Sequence, residues 1–319
     1  MECRICSNKI NNQQYEAREM MYGFRDTHRY FQCSLCGCLQ INEFPSDIQK
    51  YYDATYYSYQ PMPQEQKSKI KHFFINLRDE YALFKRGLIG KMLYSKYPTT
   101  QFQFLQPSGS KPTIDSRILD VGCGAGQLLQ LLRALGFNQL FGIDPYIDND
   151  IDYKNGVTIK KQTIQEVRGD YDVIMFHHSF EHVPDPIAVL NSAFTILTAD
   201  GYCVIRIPIA SSHAWKQYGV HWVQLDAPRH FFLHSVESME IVAEKVGFKL
   251  SQIIYDSTAF QFWGSEQYEN NIPLKDERSY AINPQNSIFS EKDILVFAKR
   301  ADELNANREG DQAIFYLRK

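Results

Sequence analysis

The chain has 319 residues, of which 44% are hydrophobic and 22% are charged, and its net charge is −3. These proportions are typical of a globular protein and exclude a disordered or fibrous one. The small negative charge argues against a general nucleic-acid or anionic-membrane binder, and no apolar run approaches the roughly 18 residues of a membrane helix. The first residues lack the apolar core of a signal peptide, so we expect a cytoplasmic protein without membrane insertion.

Five of the seven cysteines lie within the first 38 residues, in a spacing typical of metal binding. Two CxxC pairs, Cys3/Cys6 and Cys33/Cys36, can supply four thiolates in the tetrahedron that structural Zn²⁺ prefers. We predict one Zn²⁺ held by these four residues, with Cys38 as a spare thiol or a substitute ligand. Two unrelated reduced pairs, or an iron–sulfur site, are the alternatives. Four thiolates leave no open coordination position, so the predicted role of the metal is structural.

The chain is predicted to have four parts. They are a zinc ribbon at 1–45, an aromatic and helical linker or cap at 46–116, a large domain at 117–300 and a C-terminal tail at 301–319. Apolar residues at helical spacing predict one long amphipathic helix from about 67 to 96 in the linker. Residues 258–290 show little periodicity and are interpreted as a lid or as a subunit contact, which allows a homodimer.

Strand and helix patterns alternate through the large domain. Strands are predicted at 117–121, 139–144, 157–161, 171–176, 201–207, 248–255 and 293–300, and helices at 127–137, 186–197 and 235–248. This alternation predicts an α/β fold in which helices cover both faces of a parallel sheet.

A glycine-rich loop, Gly122-Cys-Gly124-Ala-Gly126, joins the first of these strands to a helix. Glycines there let the backbone turn sharply and approach a ligand, and the helix N-terminus offers unpaired N–H groups. Asp120 lies just before the loop, and Asp144 ends the next strand, where a carboxylate can accept both hydroxyls of a ribose. Together these features predict a nucleoside-containing ligand without a pyrophosphate.

The motifs LDVGCGAGQLL, GIDP, YDVIMFHHSFEHVPDP and LTADGYCVIRIP occur in this order. In combination they resemble the Rossmann-like methyltransferases that depend on S-adenosylmethionine, over about 117–300. The resemblance implies a sheet closed by an antiparallel last strand, a place that 293–300 suits. It also implies the cofactor-binding residues Asp120, Gly122, Cys123, Gly124, Gly126, Asp144, Thr163, Ile164 and His177, with Asp144 on the ribose, Thr163-Ile164 beside the adenine and His177 near the methionine part.

The predicted catalytic residue is a histidine, because a hydroxyl acceptor must lose its proton and imidazole titrates near neutral pH. His230 is the predicted base, and His178 is the alternative. Trp222 and Arg229, in the irregular segment 221–234, are predicted to grip the acceptor, although an Asp–Arg ion pair and a Trp anchor would equally explain that segment. The tyrosines Tyr56 and Tyr57 are predicted to line the same pocket, or else to pack on the core.

A four-cysteine module before such a domain also resembles methyltransferases of bacterial sugar and polysaccharide clusters. In the sugar C-methyltransferases among them a glutamate precedes the loop histidine, and here Arg229 stands in that position, so the pattern favours O-methylation. The expected reaction is O-methylation of a sugar, free as a nucleotide sugar or within a glycan precursor. The alternatives are RNA methylation, sugar C-methylation and an inactive methyltransferase-fold adaptor. The near-neutral cysteine module argues against a nucleic-acid acceptor.

Overall fold

The computed structural model describes residues 1–52 and 69–319. The strands, in chain order, are β1 (Gln13–Arg18), β2 (Thr27–Gln32), β3 (Leu39–Ile41), β4 (Arg117–Val121), β5 (Gln139–Ile143), β6 (Ile151–Asp152), β7 (Val157–Lys160), β8 (Tyr171–His177), β9 (Leu197–Pro208), β10 (Phe232–Leu233), β11 (Lys249–Tyr255) and β12 (Gln312–Arg318). The helices are α1 (Lys69–Phe84), α2 (Leu88–Lys96), α3 (Gln127–Ala134), α4 (Pro186–Ile196), α5 (His213–Tyr218), α6 (Val236–Val246), α7 (Phe260–Glu269) and α8 (Glu291–Ala306).

These residues separate into two compact units. Unit 1 comprises 1–52, 178–190 and 206–315, and unit 2 comprises 69–177, 191–205 and 316–319. No helix within the described ranges is both long and apolar enough to cross a bilayer.

Unit 1 contains a four-stranded sheet in the order β1-β2-β3-β10. β1 and β2 form an antiparallel hairpin, with Gln13 opposite Gln32. β3 pairs antiparallel with β2 and with β10, and Leu39 lies opposite Leu233. The sheet of the N-terminal segment is therefore completed by a strand from far along the chain.

The segment 293–300, predicted as the last strand, is instead part of helix α8. Ser290 caps this helix, because its hydroxyl accepts a hydrogen bond from the Asp293 N–H, and the Ser290 N–H donates one to Asp293 Oδ2. Leu295 and Val296 are exposed, whereas Ala301 and Leu304 are buried, which is the spacing of a helix face. The apolar run Ile-Leu-Val-Phe wrongly predicts a strand. The helical spacing of the segment is recognisable only when the residues after the run, up to Leu304, are included.

Strand β12, in the segment predicted as a tail, takes the place expected for 293–300. It lies between β11 and β9 in the sheet order, and it is buried over almost its whole length. An apolar run of this length suits a strand that is covered on both faces.

The sheet of unit 2 runs in the order β9-β8-β4-β5-β7-β6. β4 pairs in parallel with β5 and with β8, and β5 pairs in parallel with β7, whereas β6 is antiparallel to β7. This mixed sheet confirms the predicted α/β fold. α3 packs beside β5 at Gly142, where a Cβ atom would come within 2.8 Å of Leu129 Cδ1 and 2.5 Å of Ile159 Cδ1.

The long helix predicted over 67–96 is two helices, α1 and α2. The break lies at Lys85 and Gly87, which have φ values of 58° and 85°. Backbone in this left-handed region cannot continue a right-handed helix.

Candidate active site

The glycine-rich loop of unit 2 leaves β4 and enters α3 with three left-handed residues. Gly122, Gly124 and Gly126 have φ values of 73°, 53° and 74°, which residues with a Cβ rarely adopt. The Gly122 N–H donates to the carbonyl of Ile143 at 2.8 Å, which ties the loop to the end of β5. The loop therefore has the conformation of a ligand-binding turn at the carboxyl ends of parallel strands.

Asp144 follows β5 and is buried beside this loop. Its Oδ2 accepts the Gly124 N–H at 2.9 Å, and its Oδ1 accepts the Tyr146 N–H at 2.8 Å. Two backbone donors thus fix the orientation of the carboxylate next to the glycine loop. A carboxylate held in this way is well placed to accept ribose hydroxyls.

Asp120, the other acidic residue of the loop, is 3% exposed. Burial, and then the charge of Asp144, raise its pKa to about 8. Its Oδ1 has no hydrogen-bond partner among the described residues. Because a buried carboxyl is costly unless it is paired, this atom suits a ligand that brings a cation or a donor.

The remaining predicted cofactor residues lie in unit 2 as well. Thr163 caps a short turn after β7, where its N–H and hydroxyl both donate to Glu166 Oε2, at 2.7 and 2.8 Å. The neighbouring Ile164 is buried. His177 is the last residue of β8, and its ring meets Phe104 edge to face at 4.2 Å.

The four predicted cysteine ligands come together in unit 1, and none forms a disulfide. Cys3 Sγ lies 3.6 Å from Cys36 Sγ, and Cys6 Sγ lies 3.5 Å from Cys33 Sγ. Two sulfurs bound to one Zn²⁺ at about 2.3 Å in a tetrahedron are about 3.8 Å apart. The spacing of these thiols therefore fits a shared zinc ion.

The two CxxC turns are alike in backbone as well as in sequence. Ser7 donates to the Cys3 carbonyl and Gly37 donates to the Cys33 carbonyl, each at 2.9 Å, and both residues are left-handed. The Gln40 amide donates to Cys3 Sγ at 2.9 Å. N–H donors around sulfur favour the thiolate form that a metal requires.

A second group of ionisable residues in unit 1 is here named the histidine–carboxylate cluster. Its members are His178, Glu181, His182, Asp226 and His230. One ligand atom from each of Glu181, His182 and His230 lies within 4.8 Å of the others. His230 Nε2 is 4.0 Å from Glu181 Oε1 and 3.8 Å from Asp226 Oδ2. These residues follow β8 directly along the chain or belong to the segment 221–234.

Hydrogen bonds fix the imidazole tautomers of this cluster. His230 Nδ1 is 2.8 Å from the Gln224 carbonyl, and His182 Nδ1 is 2.8 Å from the Arg229 carbonyl. Since a carbonyl can only accept, both Nδ1 atoms carry the proton. Burial lowers the pKa of His230 to about 4 and Asp226 opposes that shift, so His230 is neutral at pH 7 with a lone pair on Nε2.

The alternative base, His178, has both nitrogens engaged in unit 1. Its Nε2 is 3.2 Å from Arg206 Nη1, and its Nδ1 is 3.5 Å from Glu181 Oε1. Its φ of 50° places it in the left-handed region. Because a guanidinium only donates, Nε2 of His178 is an acceptor and its proton lies on Nδ1.

Arg229 and Trp222, predicted to grip the acceptor, are both fully buried. Arg229 pairs with Asp226 at 2.6 Å and with Glu19 at 3.0 Å. Trp222 donates through Nε1 to Asp311 at 2.9 Å. This burial favours the structural interpretation of the segment. The other two predicted acceptor residues, Tyr56 and Tyr57, lie outside the residues that the structure describes.

A family model described as a methyltransferase domain matches residues 92–253, about half of the chain. The chain belongs to this methyltransferase family. The glycine loop, Asp120 and Asp144 all lie within the matched range, and the protein is a methyltransferase dependent on S-adenosylmethionine.

Similar curated proteins are ubiquinone biosynthesis O-methyltransferases. The one from Psychrobacter arcticus is 25% identical over 182 residues, which are 50% of this chain and 70% of that protein. The one from Colwellia psychrerythraea is 34% identical over 97 residues, which are 27% of this chain and 39% of that protein. A solved methyltransferase from Thermotoga maritima, described as a possible histamine N-methyltransferase, is 18% identical with a TM-score of 0.41, and it covers 78% of this chain and 91% of its own.

Three acidic residues of the methyltransferase were not among the predicted site residues. Glu181 and Asp226 stand beside predicted histidines in the sequence, so their proximity to histidine was the available signal. Glu19 lies in the cysteine module and reaches Arg229 from 210 positions away. No local sequence pattern marks such a pair.

Proposed function

We propose that this methyltransferase transfers a methyl group to a hydroxyl oxygen of a sugar, carried as a nucleotide sugar or within a glycan precursor. The observation that supports an oxygen acceptor is the histidine–carboxylate cluster. Its residues His178, Glu181 and His182 follow β8 directly in the chain. An oxygen nucleophile must lose a proton, whereas a cluster of this kind is superfluous for an uncharged amine. The names of the similar curated proteins also support O-methylation.

The cofactor is proposed to lie along the glycine loop of unit 2. Its sulfonium supplies an activated methyl group, so the protein contributes binding, orientation and proton transfer. Asp144 is assigned to the ribose hydroxyls and Asp120 to the amino group, because backbone donors hold the former and the latter has a buried oxygen with no partner in the part of the chain that the structure describes. Thr163 and Ile164 are assigned to the adenine, and His177 to the methionine part.

The proton of the acceptor hydroxyl is proposed to be lost at the histidine–carboxylate cluster. As the new O–C bond forms and the C–S bond breaks, the oxygen must give up that proton, and a neutral imidazole lone pair favours its departure. His230 offers such a lone pair on Nε2, whereas both nitrogens of His178 already have partners. His230 is therefore the better candidate, and Arg229 and Trp222 are proposed to hold its segment in place.

The four-cysteine cluster is proposed to hold a structural Zn²⁺. Support comes from the short sulfur–sulfur distances and from the N–H donors directed at the sulfurs. The proposal of a sugar acceptor is based on the presence of this module before a methyltransferase domain. This domain order resembles that of enzymes encoded in sugar and polysaccharide clusters.

An acceptor screen with methyl-labelled S-adenosylmethionine tests the proposal. Nucleotide sugars, polyprenyl catechols and total RNA are each incubated with the full chain, and with Asp144→Ala as the inactive control. We expect label in a sugar ether that resists base. Label in the catechol alone would retain O-methylation but refute the sugar, and salt-sensitive labelling of RNA would overturn the proposal.

A further inference from the structure

We infer that the histidine–carboxylate cluster is a binding site for a divalent first-row transition ion, held by Glu181, His182 and His230. The site lies entirely within unit 1 and is separate from the four cysteines. It uses nitrogen and oxygen ligands rather than sulfur.

The first argument is distance. His230 Nε2 lies 4.0 Å from Glu181 Oε1. This separation is too long for a hydrogen bond, which places the heavy atoms about 2.7–3.2 Å apart. Two atoms that each bind one ion at about 2.1 Å are about 3–4 Å apart. The spacing therefore fits a shared ion better than it fits direct pairing.

The second argument is the state of Glu181, which is completely buried. His178 Nδ1 lies 3.5 Å from Glu181 Oε1, beyond the usual hydrogen-bond distance, and neither carboxylate oxygen has a hydrogen-bond partner among the described residues. A carboxyl group buried without a hydrogen bond is costly unless it is paired or bound to a metal ion.

The third argument is the local charge. Glu19, Glu181 and Asp226 supply three negative charges, and Arg229 supplies one positive charge against them. Arg229 forms its ion pairs with Glu19 and Asp226, and no lysine or arginine of the described residues pairs with Glu181. A divalent cation would supply that positive charge.

The fourth argument is the orientation of the imidazoles. His182 and His230 each donate Nδ1–H to a backbone carbonyl, from Arg229 and Gln224, at 2.8 Å. Histidines that bind metal ions usually have this outer hydrogen bond, which fixes the ring and leaves the other nitrogen for the ion.

The ligand set indicates the kind of metal and its use. Two imidazoles and one carboxylate suit ions such as Mn²⁺, Fe²⁺ and Zn²⁺, and three protein ligands leave coordination positions open. If the proposed function holds, the acceptor hydroxyl would occupy an open position, where the cation lowers its pKa. His230 would then promote proton loss by holding the ion rather than by accepting the proton, which would leave to solvent water.

The test is a titration of the full chain with Mn²⁺, in which the electron paramagnetic resonance signal of the free ion measures how much Mn²⁺ remains unbound. Mn²⁺ is a hard ion with little affinity for thiolates, so the cysteine cluster does not compete. We expect one Mn²⁺ per chain and a higher melting temperature with Mn²⁺. Glu181→Gln and His182→Asn should weaken binding by more than about tenfold, the least effect expected for a ligand. His221→Asn, which changes a histidine outside the cluster, should bind normally.

Absence of saturable Mn²⁺ binding by the unaltered chain would overturn the site, as would equal binding by Glu181→Gln and the control. Circular dichroism of each variant shows whether a loss of binding reflects a loss of fold. Methyl-transfer activity in the acceptor screen tests the proposed function separately. Mn²⁺ binding without transfer to any hydroxyl would refute the function alone, and transfer that survives chelation with no Mn²⁺ binding would refute the site alone.

Discussion

The cysteine cluster and the histidine–carboxylate cluster lie in the same unit but are built in opposite ways. The cysteines come from two short CxxC turns with matching hydrogen bonds, so each half of the cluster is complete within four residues. The other cluster combines Glu181 and His182 with Asp226 and His230, which lie more than forty positions further along. The first is visible as a motif, whereas the second exists only after the chain has folded.

The two clusters also differ in what their ligands allow. Four thiolates close the coordination sphere of a zinc ion, so that metal contributes to folding and not to chemistry. Two imidazoles and a carboxylate leave room for a substrate oxygen. With both proposed ions bound, one unit would separate a stabilising metal from a reactive one by the number and kind of ligands. Mutations in the two clusters should therefore have different consequences.

The largest expected effect is loss of folding on Cys33→Ser. Structural zinc sites contribute about 10–16 kcal/mol of apparent binding energy to folding, so removal of one thiolate should leave little soluble protein. Metal analysis should find zinc in the unaltered chain and in Cys38→Ser, the matched control, but not in Cys33→Ser. A folded Cys33→Ser chain, or iron with visible absorption in the unaltered one, would contradict the zinc assignment.

The next largest effect is loss of turnover on His230→Ala. We expect turnover to fall by a factor of about 10²–10⁴, the usual contribution of a general acid or base. Zinc content and affinity for S-adenosylmethionine should stay unchanged, because His230 is neither one of the four cysteine ligands nor part of the glycine loop. The measurement is turnover and cofactor affinity on one preparation, with His221→Ala as the control. If His178→Ala loses turnover and His230→Ala does not, the assignment moves to His178.

The same contrast explains what the sequence could and could not predict. The glycine loop, the two aspartates and the CxxC pairs are contiguous patterns, and each was located by residue number. Glu19 and Arg229 could not be paired in advance, because no local signal links residues 210 positions apart. The identity of the closing strand was also missed, since the run in α8 is as apolar as a strand and Ser290 decides the helix. A tertiary contact decides the first case, and a local helix cap decides the second.

A smaller effect is expected on cofactor affinity when Asp144 is replaced. This variant is also a reference for the two clusters, since it changes a residue of neither. Asp144→Ala should weaken S-adenosylmethionine binding by about 1.5–3 kcal/mol, the scale of hydrogen bonds to a charged group. Calorimetry measures this loss, and Asp148→Ala, an exposed aspartate four residues on, should bind normally. Unchanged affinity in Asp144→Ala would refute the ribose contact, and a loss of zinc in the same variant would show that the sites are coupled.

The smallest effect is a release of protons on cofactor binding. Asp120 has a pKa of about 8, so it is mostly protonated at pH 7, and a bound ammonium group should lower that pKa. Binding should then release nearly one proton per chain and should strengthen as the pH rises toward 8. Because the folded pKa is raised, the contribution of Asp120 to stability is full below about pH 4 and is lost as the pH rises through about 8.

Calorimetry in buffers with different heats of ionisation measures this proton release directly. Asp120→Asn is the matched variant, because it keeps the shape of the side chain and cannot titrate. Equal proton release by Asp120→Asn and the unaltered chain would refute the assignment of Asp120 to the amino group.

The pairing of β3 with β10 has a consequence for biosynthesis. Leu39 lies opposite Leu233, so the outer edge of the cysteine module stays open until the ribosome has made nearly two hundred further residues. The CxxC turns can bind their ion early, yet the sheet beside them closes only late, and long-range pairing of this kind folds slowly. We therefore expect a nascent chain stalled before Phe232 to expose an unpaired hydrogen-bonding edge at β3, where other chains could pair with it.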